Sequence, residues 1–111
     1  IANDERKTRY PITRTIWRIG RSKDNELPLN DTSVSRRHAE IHRNTNGSFD
    51  IIDMNSMNGI YINNEKIGKA ILQEGDMIEI GDIFLQFTQL ASDHSVEDST
   101  VMQKTKTPSV H

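Results

Sequence analysis

SFDIIDMNSMNGIYIN, residues 48–63, contains two short stretches in which apolar and polar residues alternate. In the first stretch, Phe49 and Ile51 would lie on one side of an extended chain. In the second stretch, Ile60 and Ile62 would do the same. The residues between them include Ser, Asn and Gly, which favour turns. The sequence therefore predicts two half-buried strands joined by a short loop.

The same period of two recurs along the chain in TIWRI, AEIHR, MIEI and IFLQF. Turn signals separate these stretches. Asn46-Gly47 and Gly81-Asp82 are typical of two-residue hairpin turns, and Asn63-Asn64 predicts another tight turn. No segment has the periodicity of a long amphipathic helix. Many short strands with frequent turns indicate an all-β domain, either a sandwich or a barrel.

The chain has 111 residues and 33% hydrophobic residues, which is enough for one domain with a modest core. After Leu90 the sequence becomes polar and rich in Ser and Thr. We therefore predict a folded domain over residues 7–90 and a flexible tail or linker over residues 91–111. Because the first residue is Ile rather than Met, the sequence is expected to be a fragment of a longer protein.

Composition argues against several function classes. The chain has no cysteine, which excludes disulfides and fits a reducing, intracellular and cytoplasmic location. No apolar run approaches the roughly 18 residues of a membrane span, so no membrane partner is expected. Residues 6–23 carry seven basic side chains and no acidic one. Nucleic-acid binding is nevertheless disfavoured, because aromatic residues are only 5% of the chain and its net charge is −2.

Candidate catalytic groups are also missing from the sequence. His38 and His42 share one strand pattern, while His94 and His111 lie in the predicted tail, so no metal-ligand spacing emerges. Neither a P-loop nor a GxGxxG motif is present. We therefore predict a protein that is not an enzyme and needs neither a metal nor a cofactor.

Three predicted loops carry groups that bind anions. Gly20-Arg21 follows the strand TIWRI, Ser35-Arg36-Arg37 precedes AEIHR, and Ser56-Met57-Asn58-Gly59 connects SFDIID to IYIN. Ser, Arg and Asn supply the hydroxyl, guanidinium and carboxamide donors that phosphate accepts. Arginine is suited to this role because its planar fork matches phosphate oxygens and stays charged.

In this order, the motifs GR, SRRH and SxNG resemble those of the forkhead-associated (FHA) domain, a phosphothreonine-binding β-sandwich. The resemblance extends from about Ile16 to Phe87. It implies a sandwich of two antiparallel sheets. It also implies that Arg21 and Ser35 contact phosphate, that Arg36 adds a phosphate or peptide contact, and that Asn58 holds the peptide backbone. Met57 lies at a position that often contacts the phosphate or the threonine. A thioether donates no hydrogen bond, so only packing is expected from it.

The resemblance gives other motif residues architectural roles. His38 is expected to brace a neighbouring loop, and Ser56 to orient one. Gly20 and Gly59 are expected to permit close backbone approach or unusual backbone angles. Arg37 would point away from Arg36 and is interpreted as a surface charge.

The resemblance thus predicts a signalling module whose partner is a threonine-phosphorylated protein. One alternative stays open: an FHA-like scaffold that binds protein surfaces without phosphate. Two residues leave this alternative open. Ile60 lies where the family commonly has Thr or Ser, and Met57 is non-polar.

The predicted tail contains candidate phosphorylation sites of its own. Thr100, Thr105 and Thr107 lie in a segment expected to be accessible to kinases. Some small FHA proteins are regulated by a phosphothreonine on a flanking segment. Thr107 has Val110 three residues later, an apolar residue that some of these domains accept, and Thr100 follows the acidic pair Glu97-Asp98.

Overall fold

The computed structural model describes residues 9–89 and 99–104. These residues form eleven strands and no helix. The strands are β1 (Arg9–Pro11), β2 (Ile16–Gly20), β3 (Leu27–Pro28), β4 (Ala39–Arg43), β5 (Phe49–Asp53), β6 (Ile60–Ile62), β7 (Glu65–Ile67), β8 (Lys69–Ile71), β9 (Met77–Ile80), β10 (Ile83–Gln89) and β11 (Ser99–Lys104). No helix in the described part of the chain is long and apolar enough to cross a membrane.

The strands form two sheets. The six-stranded sheet has the order β1-β11-β10-β9-β6-β7, and the five-stranded sheet has the order β3-β2-β4-β5-β8. Strand pairs are antiparallel except for the short pair β2–β3, which is parallel. The prediction of an all-β fold with two sheets is therefore confirmed.

The core lies between the inner faces of the two sheets. Buried residues alternate with less buried ones along β4, β5, β6, β9 and β10, as the period of two in the sequence requires. Phe49 of one sheet and Phe87 of the other pack with their ring centroids 5.6 Å apart in a tilted arrangement. Such a pair adds about 0.5–1.5 kcal/mol to the burial of its area. The buried apolar residues are Ile12, Trp17, Ile19, Leu27, Leu29, Val34, Ala39, Ile41, Phe49, Ile51, Ile60, Ile62, Leu72, Ile78, Ile80, Leu85, Phe87 and Val101.

Two of the three predicted tight turns are confirmed. Asn63 and Asn64 have φ values of +50° and +75° and join β6 to β7 directly. This is the backbone that a type I′ turn requires, and Asn tolerates it better than most residues. Gly81 has a φ of +60° in the two-residue turn between β9 and β10.

The third predicted turn was wrong in its length. A five-residue loop, 44–48, connects β4 to β5, and the Asn44 carbonyl accepts the Gly47 N–H at 2.9 Å. Gly47 has a φ of +92°, whereas Asn46 does not have a positive φ. The Asn46 side chain instead accepts hydrogen bonds from the Ser48 N–H and hydroxyl. That local bonding favours the longer loop.

The prediction of a flexible tail over residues 91–111 is corrected for Ser99–Lys104. This segment is β11, which lies between β1 and β10 and pairs antiparallel with both. The side chain of Val101 is fully buried in the core. The sequence concealed this strand because most of its residues are Ser, Thr, Gln and Lys, so its composition is that of a loop. The sheet therefore extends beyond the predicted boundary at residue 90. Of the predicted domain and tail, residues 7–8, 90–98 and 105–111 lie outside the described residues.

Candidate functional site

Strand register brings the three predicted anion-binding loops to one end of the sandwich. Ile19 at the end of β2 pairs with Ala39 at the start of β4. Ala39 also pairs with Asp53 at the end of β5. The segments that follow Ile19, precede Ala39 and follow Asp53 therefore lie side by side. These three segments carry GR, SRRH and SxNG.

The first two loops are joined through their backbones at Gly20. The Arg21 N–H donates to the Ser35 carbonyl at 2.9 Å, and the Ser22 N–H donates to the Arg36 carbonyl at 3.3 Å. A Cβ on Gly20 would lie 2.1 Å from the Arg36 carbonyl oxygen, a distance that no real side chain allows. Gly20 thus permits the close backbone approach that its motif position predicts.

Asn25 also joins these two loops, and no motif in the sequence predicts this role. It is buried, and its carboxamide donates to the carbonyls of Ser22 at 2.8 Å and Arg36 at 2.9 Å. A buried amide with two such acceptors fixes the separation of the loops. A polar residue beside the apolar Leu27 was the only signal in the sequence, and it equally fits an exposed loop residue.

His38 connects the second loop to the third. Its Nδ1 accepts the Ser35 N–H at 3.0 Å, and its Nε2 lies 2.8 Å from the Gly59 carbonyl oxygen. Since a backbone N–H can only donate and a carbonyl can only accept, the proton of the neutral ring lies on Nε2. The ring is fully buried. These contacts match the bracing role that the FHA resemblance implies.

Ser35 presents its hydroxyl between two loops. Its side chain is half-buried, and its Oγ accepts the Met57 N–H at 3.0 Å. A hydroxyl has one donor and two acceptor positions. Within the described residues its own proton has no acceptor, so the hydroxyl can donate to a bound ligand.

The third loop has internal hydrogen bonds that fix its shape. The Ser56 hydroxyl accepts the Gly59 N–H at 2.9 Å and donates to the Asp53 carboxylate. Gly59 has a φ of +76°, a conformation that glycine adopts without strain. Asp53 is a further residue that sequence reasoning missed, because its role depends on the fold of the loop that follows it.

Asn58 is exposed at the tip of this loop, and its carboxamide donates to the Ser33 carbonyl at 2.8 Å. Ser33 also ties in the turn between β9 and β10, because its hydroxyl accepts the Asp82 N–H at 2.8 Å. The same hydroxyl donates to the Asp31 carboxylate at 2.6 Å. Hydrogen bonds from Ser33 lower the pKa of Asp31. Ser33 therefore holds Asn58 in position against the second loop.

The cations of the site have no local counter-ions. Arg21 is half-buried, while Arg36 and Arg37 are exposed, and no carboxylate of the described residues lies within 4 Å of their guanidinium groups. Met57, whose N–H is bonded to Ser35, is 83% exposed. An uncompensated cationic edge with adjacent hydroxyl and amide donors is suited to binding an anion.

Another part of the basic stretch is neutralised. Arg18 donates to the Glu26 carboxylate from its backbone N–H at 2.8 Å and from its guanidinium at 3.2 and 3.3 Å. Arg14 lies 4.0 Å from the same carboxylate. These hydrogen bonds hold the pKa of Glu26 at about 2, well below its ordinary 4.5. Arg18 is thus paired with a carboxylate, whereas Arg21 and Arg36 are not paired within the described residues.

The described residues contain no group of three His, Asp or Glu side chains that could hold a metal ion. A β-sandwich that carries exposed cations and hydroxyl and amide groups on interlocked loops has the arrangement of a loop-based recognition module. The sequence model of the FHA domain matches residues 17–81. The chain belongs to the FHA domain family.

The curated relatives include a regulator and an inhibitor. The glycogen accumulation regulator GarA of Mycobacterium tuberculosis is 40% identical over 80 residues, which cover 72% of this chain and 49% of that protein. The oxoglutarate dehydrogenase inhibitor of Corynebacterium diphtheriae is 38% identical over 81 residues, which cover 73% of this chain and 56% of that protein. The chain spans about half the length of the curated relatives it matches.

Solved structures with the same fold include FHA domains. An FHA domain structure from a study of phosphothreonine-dependent interactions has a TM-score of 0.67 and 28% identity, covering 93% of this chain and 90% of that one. EmbR of Mycobacterium tuberculosis, in complex with a low-affinity phosphopeptide, has a TM-score of 0.63 and 32% identity. That match covers 83% of this chain and 21% of EmbR.

Proposed function

We propose that this domain binds threonine-phosphorylated segments of partner proteins and so acts as a recognition module in signalling. The observation that carries the proposal is the edge where Arg21 and Arg36 lie next to Ser35: Arg36 follows it in the chain, and the Arg21 N–H donates to its carbonyl. Among the described residues, neither guanidinium group has a carboxylate within 4 Å, and the Ser35 hydroxyl proton has no acceptor. In this proposal, Arg21, Ser35 and Arg36 bind the phosphate and Asn58 binds the peptide backbone.

The chemistry of the edge fits a phosphate dianion better than a carboxylate. Phosphate offers three acceptor oxygens and a charge of about −1.5 to −2, so two guanidinium groups and one hydroxyl can all be used. Each charge-assisted hydrogen bond contributes about 1.5–3 kcal/mol net. Association entropy removes much of that total, so we expect micromolar dissociation constants, about −8 kcal/mol.

Met57 supports a preference for phosphothreonine over phosphoserine. Its backbone N–H is bonded to the Ser35 hydroxyl and its side chain is exposed, so this side chain can offer an apolar contact for the threonine methyl group. Burying one methyl contributes roughly 0.8 kcal/mol, which corresponds to about fourfold in affinity.

A non-catalytic role agrees with the names of two relatives, a glycogen accumulation regulator and an oxoglutarate dehydrogenase inhibitor. For this chain we propose a phosphoprotein as partner, without a cofactor, a nucleic acid or a membrane. An intracellular location follows from that proposal, because Ser/Thr kinase signalling operates there.

A second candidate function is binding of protein surfaces without phosphate. The 83% exposure of Met57 favours it, because a large apolar side chain at a loop tip can contact an unmodified partner. Ile60 does not add to this candidate, since its side chain is fully buried.

Isothermal titration calorimetry separates these functions. The ligands are a phosphothreonine peptide chosen from an oriented library, its unphosphorylated twin, and a short oligonucleotide of equal charge. Phosphothreonine recognition predicts that only the first ligand binds with micromolar affinity. Equal binding of both peptides would favour the scaffold function, and preferential binding of the oligonucleotide would contradict both.

Regulation by the chain's own C-terminal segment remains a proposal for Thr105 and Thr107, which lie outside the described residues. Thr100 is a poorer candidate. It belongs to β11, where it pairs with Pro11 on one side and Thr88 on the other. A kinase that binds its substrate as an extended peptide would first have to detach this strand from both neighbours.

A further inference from the structure

Lys66 extends toward the anion-binding loops from the neighbouring strand. It lies on β7 opposite Tyr61, so both residues belong to the outer face of the six-stranded sheet. Its Cε lies 2.9 Å, and its Nζ 3.7 Å, from the point that a Cβ on Gly59 would occupy. The lysine stem therefore runs diagonally across Gly59, and the missing side chain at that position leaves the space for it.

This placement puts the Lys66 ammonium beside the third loop, one residue from Asn58. No carboxylate of the described residues lies within 4 Å of it. Glu79 shares the same cross-strand row, since Tyr61 pairs with both Lys66 and Glu79. The backbone of Glu79 is two strand spacings from that of Lys66, roughly 10 Å. The Lys66 side chain lies over Gly59, and its positive charge is available to a ligand.

We propose that Lys66 reads an anionic side chain next to the phosphothreonine of the bound peptide, and this inference rests on the proposed function above. A peptide whose backbone is bonded to Asn58 would lie one residue from Gly59, within reach of the Lys66 side chain that covers it. Lysine is a compact point charge with three donors on a flexible stem, so it accepts a carboxylate or a second phosphate without strict geometry. The substrate class is therefore an acidic or doubly phosphorylated segment.

Lys66 differs from the other cations of the site in the strand from which it approaches. Arg21 and Arg36 are assigned to the phosphate itself, whereas Lys66 reaches the site across Gly59 from another strand. Lys69 is an equally exposed lysine on β8, an edge strand of the other sheet, and serves as a matched control. The Lys66→Met substitution removes the charge and keeps an unbranched stem over Gly59.

The test uses the 111-residue chain and a phosphothreonine peptide in which Glu replaces Gln at each of three positions on either side. Affinities are measured for the wild type, K66M, K66E and K69M, with melting temperatures as a check on folding. We expect Glu at one position to strengthen wild-type binding about two- to fivefold, the range of an exposed ion pair. K66M should abolish this gain, K66E should reverse it, and K69M should retain it. A peptide with phosphoserine in place of that Glu tests whether a second phosphate is bound in the same way.

The results distinguish this inference from the proposed function. If the wild type binds the neutral phosphopeptide but gains nothing from Glu at any position, or if K66M keeps the full gain, the Lys66 role is overturned while phosphothreonine recognition stands. If the wild type binds none of the phosphopeptides, both are overturned.

Discussion

The hydroxyl of Ser35 accepts the backbone N–H of Met57 at 3.0 Å, across a separation of 22 positions in the sequence. This contact joins the second and third loops at the point where the proposed phosphate would lie. It uses one acceptor position of the hydroxyl and orients its proton away from Met57. The hydroxyl is therefore oriented before any ligand binds.

Ser35→Ala should weaken phosphopeptide binding by about 1–1.5 kcal/mol, since one donor is lost from a site that keeps its cations. The Met57 N–H is at an exposed loop position and can bond to water, so stability should change little. Calorimetry against Thr45→Ala, an exposed threonine in the loop between β4 and β5, gives the comparison. Unchanged affinity in Ser35→Ala would remove this residue from the site.

Arg21→Ala should abolish measurable phosphopeptide binding while the melting temperature stays within a few degrees of wild type. An unpaired loop cation contributes little to the free energy of unfolding. Arg37→Ala is the matched control, because Arg37 is exposed and its position predicts a surface charge. An affinity of Arg21→Ala within about threefold of wild type, under 0.7 kcal/mol, would contradict the phosphate role.

His38→Ala should act chiefly on stability. It leaves the Ser35 N–H and the Gly59 carbonyl without a partner and opens a cavity in a fully buried position. We expect a loss of about 2–4 kcal/mol in the free energy of unfolding and a drop of ten degrees or more in Tm. Denaturant unfolding measures this, and calorimetry on the folded protein should show a smaller change in binding free energy. A larger effect on binding than on stability would identify His38 as a ligand contact.

The Arg18–Glu26 pair should make stability depend on pH in acid. Glu26 has a pKa of about 2 in the folded protein, against an ordinary 4.5 in the unfolded chain. Its contribution is fully present above pH 4.5 and is lost as the pH falls toward 2, because the unfolded state binds the proton first. Denaturant unfolding of wild type and Glu26→Gln should therefore differ most near pH 6 and converge near pH 2. A difference that is constant with pH would contradict the pairing.

Strands with apolar residues on one face could be predicted because burial imposes a period of two on the sequence, as at Phe49 and Ile51. The turn at Asn63-Asn64 could be predicted because its positive φ values restrict the residue type. The three anion-binding loops were identified from their order along the chain. Strand pairing explains why they meet, and no local pattern encodes which strands pair.

The supporting residues could not be predicted for the same reason. Asn25 holds a carbonyl 11 positions away, and Ser33 holds Asp82 at a separation of 49. In the sequence, each is an ordinary polar loop residue, because the partner that defines its role is distant along the chain. β11 was missed because four of its six residues are Ser, Thr, Gln and Lys, and because its partner strand β1 is distant in sequence.

The position of β11 has a consequence for how the domain can be shortened. Within the described residues, β1 pairs with β11 and with no other strand, so it joins the rest of the sheet only through β11. A fragment that stops at residue 90 would lose two strands rather than one, although β1 would remain in its sequence. It would also uncover β10, a seven-residue strand, as a new edge that can pair with other chains. The first strand thus depends on a segment near the other end of the chain, and binding measured on a fragment without residues 99–104 would describe a different, association-prone molecule.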